Sequence, residues 1–335
     1  MKETKRKYLS EFAVNIYSAR WIMTTADQLM SGGEMPADEL EISKRCHIYL
    51  ICKTPIISFS KDSFKYEDGY ISGNVVYSIE GEERKIPFSQ EFPLLGGVTK
   101  VELSKYPHRE IHALNDKNEV IRYLPASVIS MGHGIHLNNS ELSDLEVLYI
   151  GQAFGDGTRS AHDRLKSHST LQKILADAQY NYPEDIVTVL TFEFVPYRII
   201  HQMDGITKAQ ITDDRDKDRF ISILDNHLTD RQEVCFVEAA LIRYFQPHYN
   251  EIYKESFPRQ SHKILESCYK LDFSALIIEI NTEGLRISLF SKAAKPSGHH
   301  ISKFDLVAHE DRWGFFHLTA GDGTVRKMPN VIPSN

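Results

Sequence analysis

Val147-Leu148-Tyr149-Ile150-Gly151 is an apolar, strand-forming run that closes on glycine, and the fold reading turns on it. Upstream, Ala126 to Ile135 reads as a second strand, separated from it by the turn-forming Asn138-Asn139-Ser140. Downstream, Thr158 or Ser160 can cap a helix in which Arg164, His168, Leu171, Leu175 and Ala178 recur at four- and three-residue steps. That spacing puts Arg164 and His168 on the face carrying the apolar stripe. A third strand spans Ile186 to Val195, and a second helix runs from about Glu233 to Phe245, where Pro247 ends it.

One residue in the second helix is out of place by polarity. Glu238 shares a face with Leu241, Ile242 and Phe245, and a carboxylate on the apolar side of a core helix is costly unless it meets a metal, a cation or donors. Arg164 or a metal ion would supply that partner. Taken singly, Tyr149 also reads as a core tyrosine, and Arg164 with Glu238 as a structural ion pair.

Four blocks therefore stand in order: Tyr149-Ile150-Gly151, Arg164-Leu165-Lys166-Ser167-His168, Val237-Glu238, and Gln246-Pro247-His248-Tyr249-Asn250. Together they resemble the catalytic module of the GIY-YIG nucleases over about residues 126–256. The resemblance implies an α+β fold, with a small three-stranded mixed or antiparallel sheet flanked by helices. By the same match Tyr149 is the second-motif tyrosine, Arg164 the helix arginine, and His168 the histidine one turn on. Glu238 becomes the single acidic metal ligand, and Asn250, twelve residues later, the closing asparagine. The first motif appears as Gly134-Ile135-His136, with histidine where the family has tyrosine, and QAFGDGTRSAHD lengthens the stretch before Arg164.

The implied activity is metal-dependent endonucleolytic hydrolysis of DNA, double-stranded DNA favoured. A single carboxylate, with water and phosphate completing the shell, suits Mg²⁺ or Mn²⁺. Arg164 would clamp the phosphate through its planar donor fork, and Tyr149 or His136 would activate water. His168 would orient a neighbour, and Asn250 would tie the helix exit to the site. Restriction or phage defence is the setting the resemblance suggests. The alternative is a catalytically lapsed module serving as a nucleic-acid-binding or protein-binding subunit.

Composition bounds these readings. The chain has 335 residues, 41% hydrophobic, enough for a sizeable core and two or three domains. No continuous apolar run suggests a signal peptide or a membrane span. Cys46, Cys52, Cys235 and Cys268 lack metal-site spacing and are too few for a disulfide scaffold, which points to a reducing cytoplasm. The 39 basic and 46 acidic residues give a net charge of −7. Residues 131–260 carry most of the excess, 13 basic against 20 acidic, so DNA cannot be held there by a broad positive field. Grip on DNA must be local or shared with a protein partner or a second copy through the flanking regions. The run Asp213 to Asp218 reads as a solvated loop or helix start.

Those flanking regions read as β-rich accessory parts, 1–125 and 257–335. The first opens with a predicted amphipathic helix, because Leu9, Phe12, Ile16, Ala19, Met23, Ala26 and Met30 keep three- and four-residue steps before Gly32-Gly33. His47 to Phe59 and a hairpin of Tyr70 to Ile79 with Ile86 to Phe92 follow. In the last region Ala275 to Ile280 and Leu285 to Phe290 flank Asn281-Thr282-Glu283-Gly284, which predicts another hairpin.

Overall fold

The computed structural model describes residues 5–31, 37–127, 140–154, 164–165, 169–203, 205–259, 261–308, 312–319 and 324–327. The first element corrects the sequence reading. Residues 11–25 form a strand, β1 (Glu11–Thr25), and only then does the chain turn helical, in α1 (Ala26–Ser31) and α2 (Ala37–Ser43). Val14, Ile16, Tyr17, Trp21, Ile22, Thr24 and Thr25 favour extended backbone. Glu11 through Ile16 are buried on both faces, which erases the alternation expected of a strand and leaves a misleading helical spacing.

Next comes β2 (Ile48–Pro55), followed by seven strands that form a separate β body. β3 (Ser58–Phe59), β4 (Lys65–Glu67), β5 (Tyr70–Ile79) and β6 (Glu82–Glu91) make one sheet, and β7 (Lys100–Leu103), β8 (Glu110–Leu114) and β9 (Val120–Pro125) another. Phe59, Ile71, Val75, Phe88, Phe92 and Ile111 give the two a common apolar core. The β5–β6 hairpin forms as read, its turn residues Glu80 and Gly81 both at positive φ.

After α3 (Ser140–Ser143) come β10 (Asp144–Gln152), α4 (Ser169–Asn181), β11 (Asp185–Phe194), β12 (Arg198–Gln202), α5 (Asp214–Asp225) and α6 (Asp230–Phe245). The acidic run is the start of α5, with Asp213 as its cap. Thr229 and Gln232 form a capping box at the start of α6, and Gln246 ends it in the left-handed region. The chain closes through α7 (Glu266–Lys270), β13 (Ala275–Asn281), β14 (Ser288–Phe290), β15 (His299–Asp305), β16 (His317–Thr319) and β17 (Val325–Lys327).

One eight-stranded sheet organises the fold, in the order β14-β10-β2-β11-β1-β13-β15, with β12 also on β1. It draws strands from all three regions read in the sequence. β1 is long enough to serve two groups of neighbours: β12 and β13 along its first half, β11 along its second, with an irregularity between Ser18 and Arg20. α6 packs against β2 and β10 from one half and β13 and β15 from the other. Hence α6 is apolar nearly all round, burying Val234, Phe236, Val237, Ala239 to Ile242, Tyr244 and Phe245. On the opposite face of β2, β10 and β11 lies α4, with Leu171, Ile174 and Ala178 against Tyr49, Ile51, Leu148 and Val189.

Two strand pairings differ from expectation. β13 and β14 form no hairpin, because both edges of β13 are taken by β1 and β15; β14 instead runs parallel to β10. The second concerns the partner of β10. Ala126 and Ser127 are helical, residues 128–139 lie outside the described residues, and the strand beside β10 through Tyr149–Gln152 is β2. Residues 56–143, including the whole β body, are thus inserted between two adjacent strands. The fold is mixed α+β.

Candidate active site

β10 carries a bulge near its Tyr149 end. Its register against β2 shifts between Val147 and Tyr149, and Leu148 and Tyr149 both reach the α4 side, whereas Val147 and Ile150 face α6. The shift brings Tyr149 onto the same face as Tyr49 of β2, with ring centroids 6.2 Å apart. Gly151 lies opposite Tyr49 and supplies the space: a Cβ there would come within 2.5 Å of Tyr49 Cζ and Oη and 2.9 Å of the Tyr149 ring. Glycine is required here by close approach.

The far edge of the bulge is held by the chain leaving α6. Asn250 Nδ2 donates to the Ile150 carbonyl at 2.8 Å, and its Oδ1 accepts from the Ile150 N–H at 2.9 Å. Tyr249 N–H donates to the Leu148 carbonyl at 3.1 Å, and the Tyr249 hydroxyl to Asp177 of α4, also at 3.1 Å. Gln246-Pro247-His248-Tyr249-Asn250 is therefore a clasp for β10, and Asn250 is buried because it substitutes for a missing strand. Asn250 thus ties the α6 exit to the Tyr149 strand.

Glu238 projects from α6 toward the end of β10, where Gln152 Nε2 donates to its Oε2 at 2.7 Å. Burial raises the Glu238 carboxyl above its ordinary value, against the opposing Gln152 hydrogen bond and the positive charge of Arg164. Arg164 acts on the tyrosines as well. Tyr49 is pushed far up, first by burial, then by Tyr149; Arg164 opposes this by charge and hydrogen bonding, and Glu238 adds to it. Tyr149 is raised by burial and by Glu238, against Arg164, Tyr49 and Thr170. Tyr49, Tyr149, Arg164 and Glu238 therefore share one electrostatic environment, two neutral hydroxyls between a guanidinium and a carboxyl.

Of the residues read from sequence, Tyr149, Arg164, Glu238 and Asn250 converge at the end of the β2–β10 ladder. His136 and His168 lie outside the described residues. The position beside Tyr149-Ile150-Gly151, expected for Gly134-Ile135-His136, belongs to Tyr49-Leu50-Ile51 of β2. The sequence reading missed Tyr49 and Gln152. The only local signal was His-Ile-Tyr at the start of a strand, a hundred residues from Tyr149.

Glu238 is the one carboxylate of this group that faces Arg164. Among the described residues no set of three or more His, Cys, Asp or Glu side chains is placed to enclose a metal ion. A hard cation held by one carboxylate, water and substrate fits this donor set. All four cysteines are free, with Cys46, Cys52 and Cys268 buried and Cys235 half-buried. Among the described residues no helix is long and apolar enough to cross a membrane. Compared with protein-family models, curated proteins and solved structures, the chain matches none.

Proposed function

We propose that the chain is a GIY-YIG-type endonuclease that hydrolyses DNA phosphodiester bonds, with Tyr49, Tyr149, Arg164 and Glu238 as its working residues. The observation that carries this reading is their convergence on one strand end, with Tyr49 supplying the tyrosine that the linear motif lacked. A structural ion pair would place no demand on two tyrosines packed against a glycine, beside a bulge clasped by Asn250.

Arg164 offers parallel N–H donors to the phosphoryl oxygens as charge builds on them. Tyr49 and Tyr149 are hydroxyls at neutral pH, so each can accept from an attacking water while donating to a phosphate oxygen. Gln152 orients Glu238 through its side-chain amide and its backbone N–H, and Glu238 would hold the cation. A bound Mg²⁺ or Mn²⁺ supplies charge neutralisation at the scissile phosphate. The chain's net charge of −7 suits a local rather than diffuse grip on double-stranded DNA, assisted by the β body or a partner. Restriction or phage defence is the setting this reading favours.

The test is incubation of purified protein with plasmid, linear duplex, single-stranded DNA and RNA in Mg²⁺ or Mn²⁺, beside Tyr49→Phe, Arg164→Ala and Glu238→Ala. Cutting by wild type and a loss of at least 100-fold in the Arg164 and Glu238 variants is expected, the size typical of a lost charge-stabilising donor. Binding without cutting on every substrate would favour the lapsed module instead.

A further inference from the structure

Beside Glu238 lies a cavity of about 220 Å³ that the proposed chemistry does not use. Its floor is Ile48 of β2 and Phe192 of β11, which are directly paired. Ile48 is also paired with Gln152 on its other side, so Gln152, Ile48 and Phe192 form one rung across three strands. Gln152 binds Glu238, and neighbouring strands lie about 4.8 Å apart, so the hollow begins one strand spacing from the site. Val234, one helical turn before Glu238, closes it on the α6 side.

The walls are aromatic. Phe154, two residues past Gln152, meets the His47 ring edge to face at 5.0 Å, and Phe194 stands across from them. The rim is acidic. Glu193 is occupied by Arg20 at 3.0 Å and Arg45 at 3.3 Å, whereas among the described residues Asp230 and Glu233 form no ion pair. Glu233 Oε2 accepts from the Tyr197 N–H at 3.0 Å. Burial raises this carboxyl to about 7, with Tyr197 opposing and Asp230 adding.

We propose that this hollow receives one nucleobase next to the scissile phosphate, a base presenting N–H donors, with Phe154 stacking on its face and Glu233 reading its edge. The inference rests on the nuclease reading and gives it a specificity-determining subsite. Phosphate is a poor occupant, because Asp230 lies at the rim and the lining cation Arg45 is already paired with Glu193. A flat ring with an exocyclic amino group satisfies both the aromatic walls and the acceptor rim. Carboxylates accept from such groups, and aromatic stacking tolerates any base, so Glu233 carries the discrimination and Phe154 the retention.

The test uses the full chain with duplex and single-stranded pools randomised around the cleavage position, comparing wild type with Phe154→Ala and Glu233→Gln. Wild type should favour the amino-bearing bases adenine, cytosine and guanine over thymine at one position flanking the cut. Glu233→Gln should flatten that preference about tenfold, and Phe154→Ala should raise KM with kcat preserved. A wild type indifferent to flanking base, or both variants keeping its profile, overturns the subsite and leaves the nuclease standing. If wild type cuts nothing, short oligonucleotides carrying 2-aminopurine decide the matter. A fluorescence change present in wild type and lost in both variants upholds the subsite while the nuclease reading falls; no change, or an equal change in all three, overturns the subsite.

Discussion

At the scale of single residues, Gly151 and Asn250 shape the strand end that carries the candidate site. Gly151→Ala must displace the Tyr49 ring from a 2.5 Å contact, and overpacking of this kind costs about 1–3 kcal/mol. We expect a lower unfolding midpoint in urea together with loss of cleavage. Asn250→Ala removes two hydrogen bonds and strands the Ile150 N–H and carbonyl, at about 1–3 kcal/mol for each buried group left without a partner. On the proposed reading, Glu238 trades stability for chemistry. A raised carboxyl favours the folded state only while protonated; its contribution is present below the ordinary value near 4.5 and lost as pH rises through the folded value. Glu238→Gln should therefore raise the unfolding midpoint at neutral pH while abolishing cleavage, and the gain should shrink toward pH 4. An unchanged midpoint would mean that Arg164 already compensates the charge. Tyr149, Arg164, Glu238 and Asn250 were legible as residue types at fixed spacing. Tyr49 was not, since only strand pairing places it opposite Gly151.

At the scale of elements, α6 was the most readable part of the chain and β1 the least. α6 carries its own punctuation, a Thr229/Gln232 capping box and a Pro247 stop. Thr229→Ala removes the cap, which is worth about 0.5–2 kcal/mol, and should lower the midpoint of thermal unfolding without moving any site residue. A normal cleavage rate in the folded variant checks the second half of that expectation. β1 lacked such punctuation, and its first six residues are buried on both faces, so spacing alone read as helix. The β13–β14 hairpin failed for a related reason. A turn-like tetrapeptide permits a hairpin, but the edges of β13 were already filled by β1 and β15.

At the scale of the whole molecule, the two ends of the chain are tied together by a buried charge network. Asp272 accepts from Arg312 at 2.8 and 3.0 Å and from Arg219 at 3.0 Å, and Arg312 also donates to the fully buried Glu11 at 2.8 Å. Burial alone would raise Asp272, but Arg312, Lys7 and Arg219 outweigh it and hold the carboxyl below its ordinary value. A depressed carboxyl contributes stability above the unfolded value of about 3.8 and loses it as pH falls through the folded value. Asp272→Asn should cost about 3–5 kcal/mol at pH 7, because it leaves Arg219 and Arg312 undercompensated, and the difference from wild type should shrink in acid. Denaturant unfolding at pH 7 and pH 3 measures both. Glu11, Arg219, Asp272 and Arg312 lie far apart in sequence, and no local pattern announces the network. By itself the sequence determined the chemistry available: helix caps, strand-forming runs, and an arginine, a tyrosine and a glutamate at fixed steps, because those depend on neighbours a few residues away. The tertiary structure decided which strand lies beside Tyr149, and so brought Tyr49 to the candidate site, because pairing across an inserted β body is set by which edges remain open and by long-range burial.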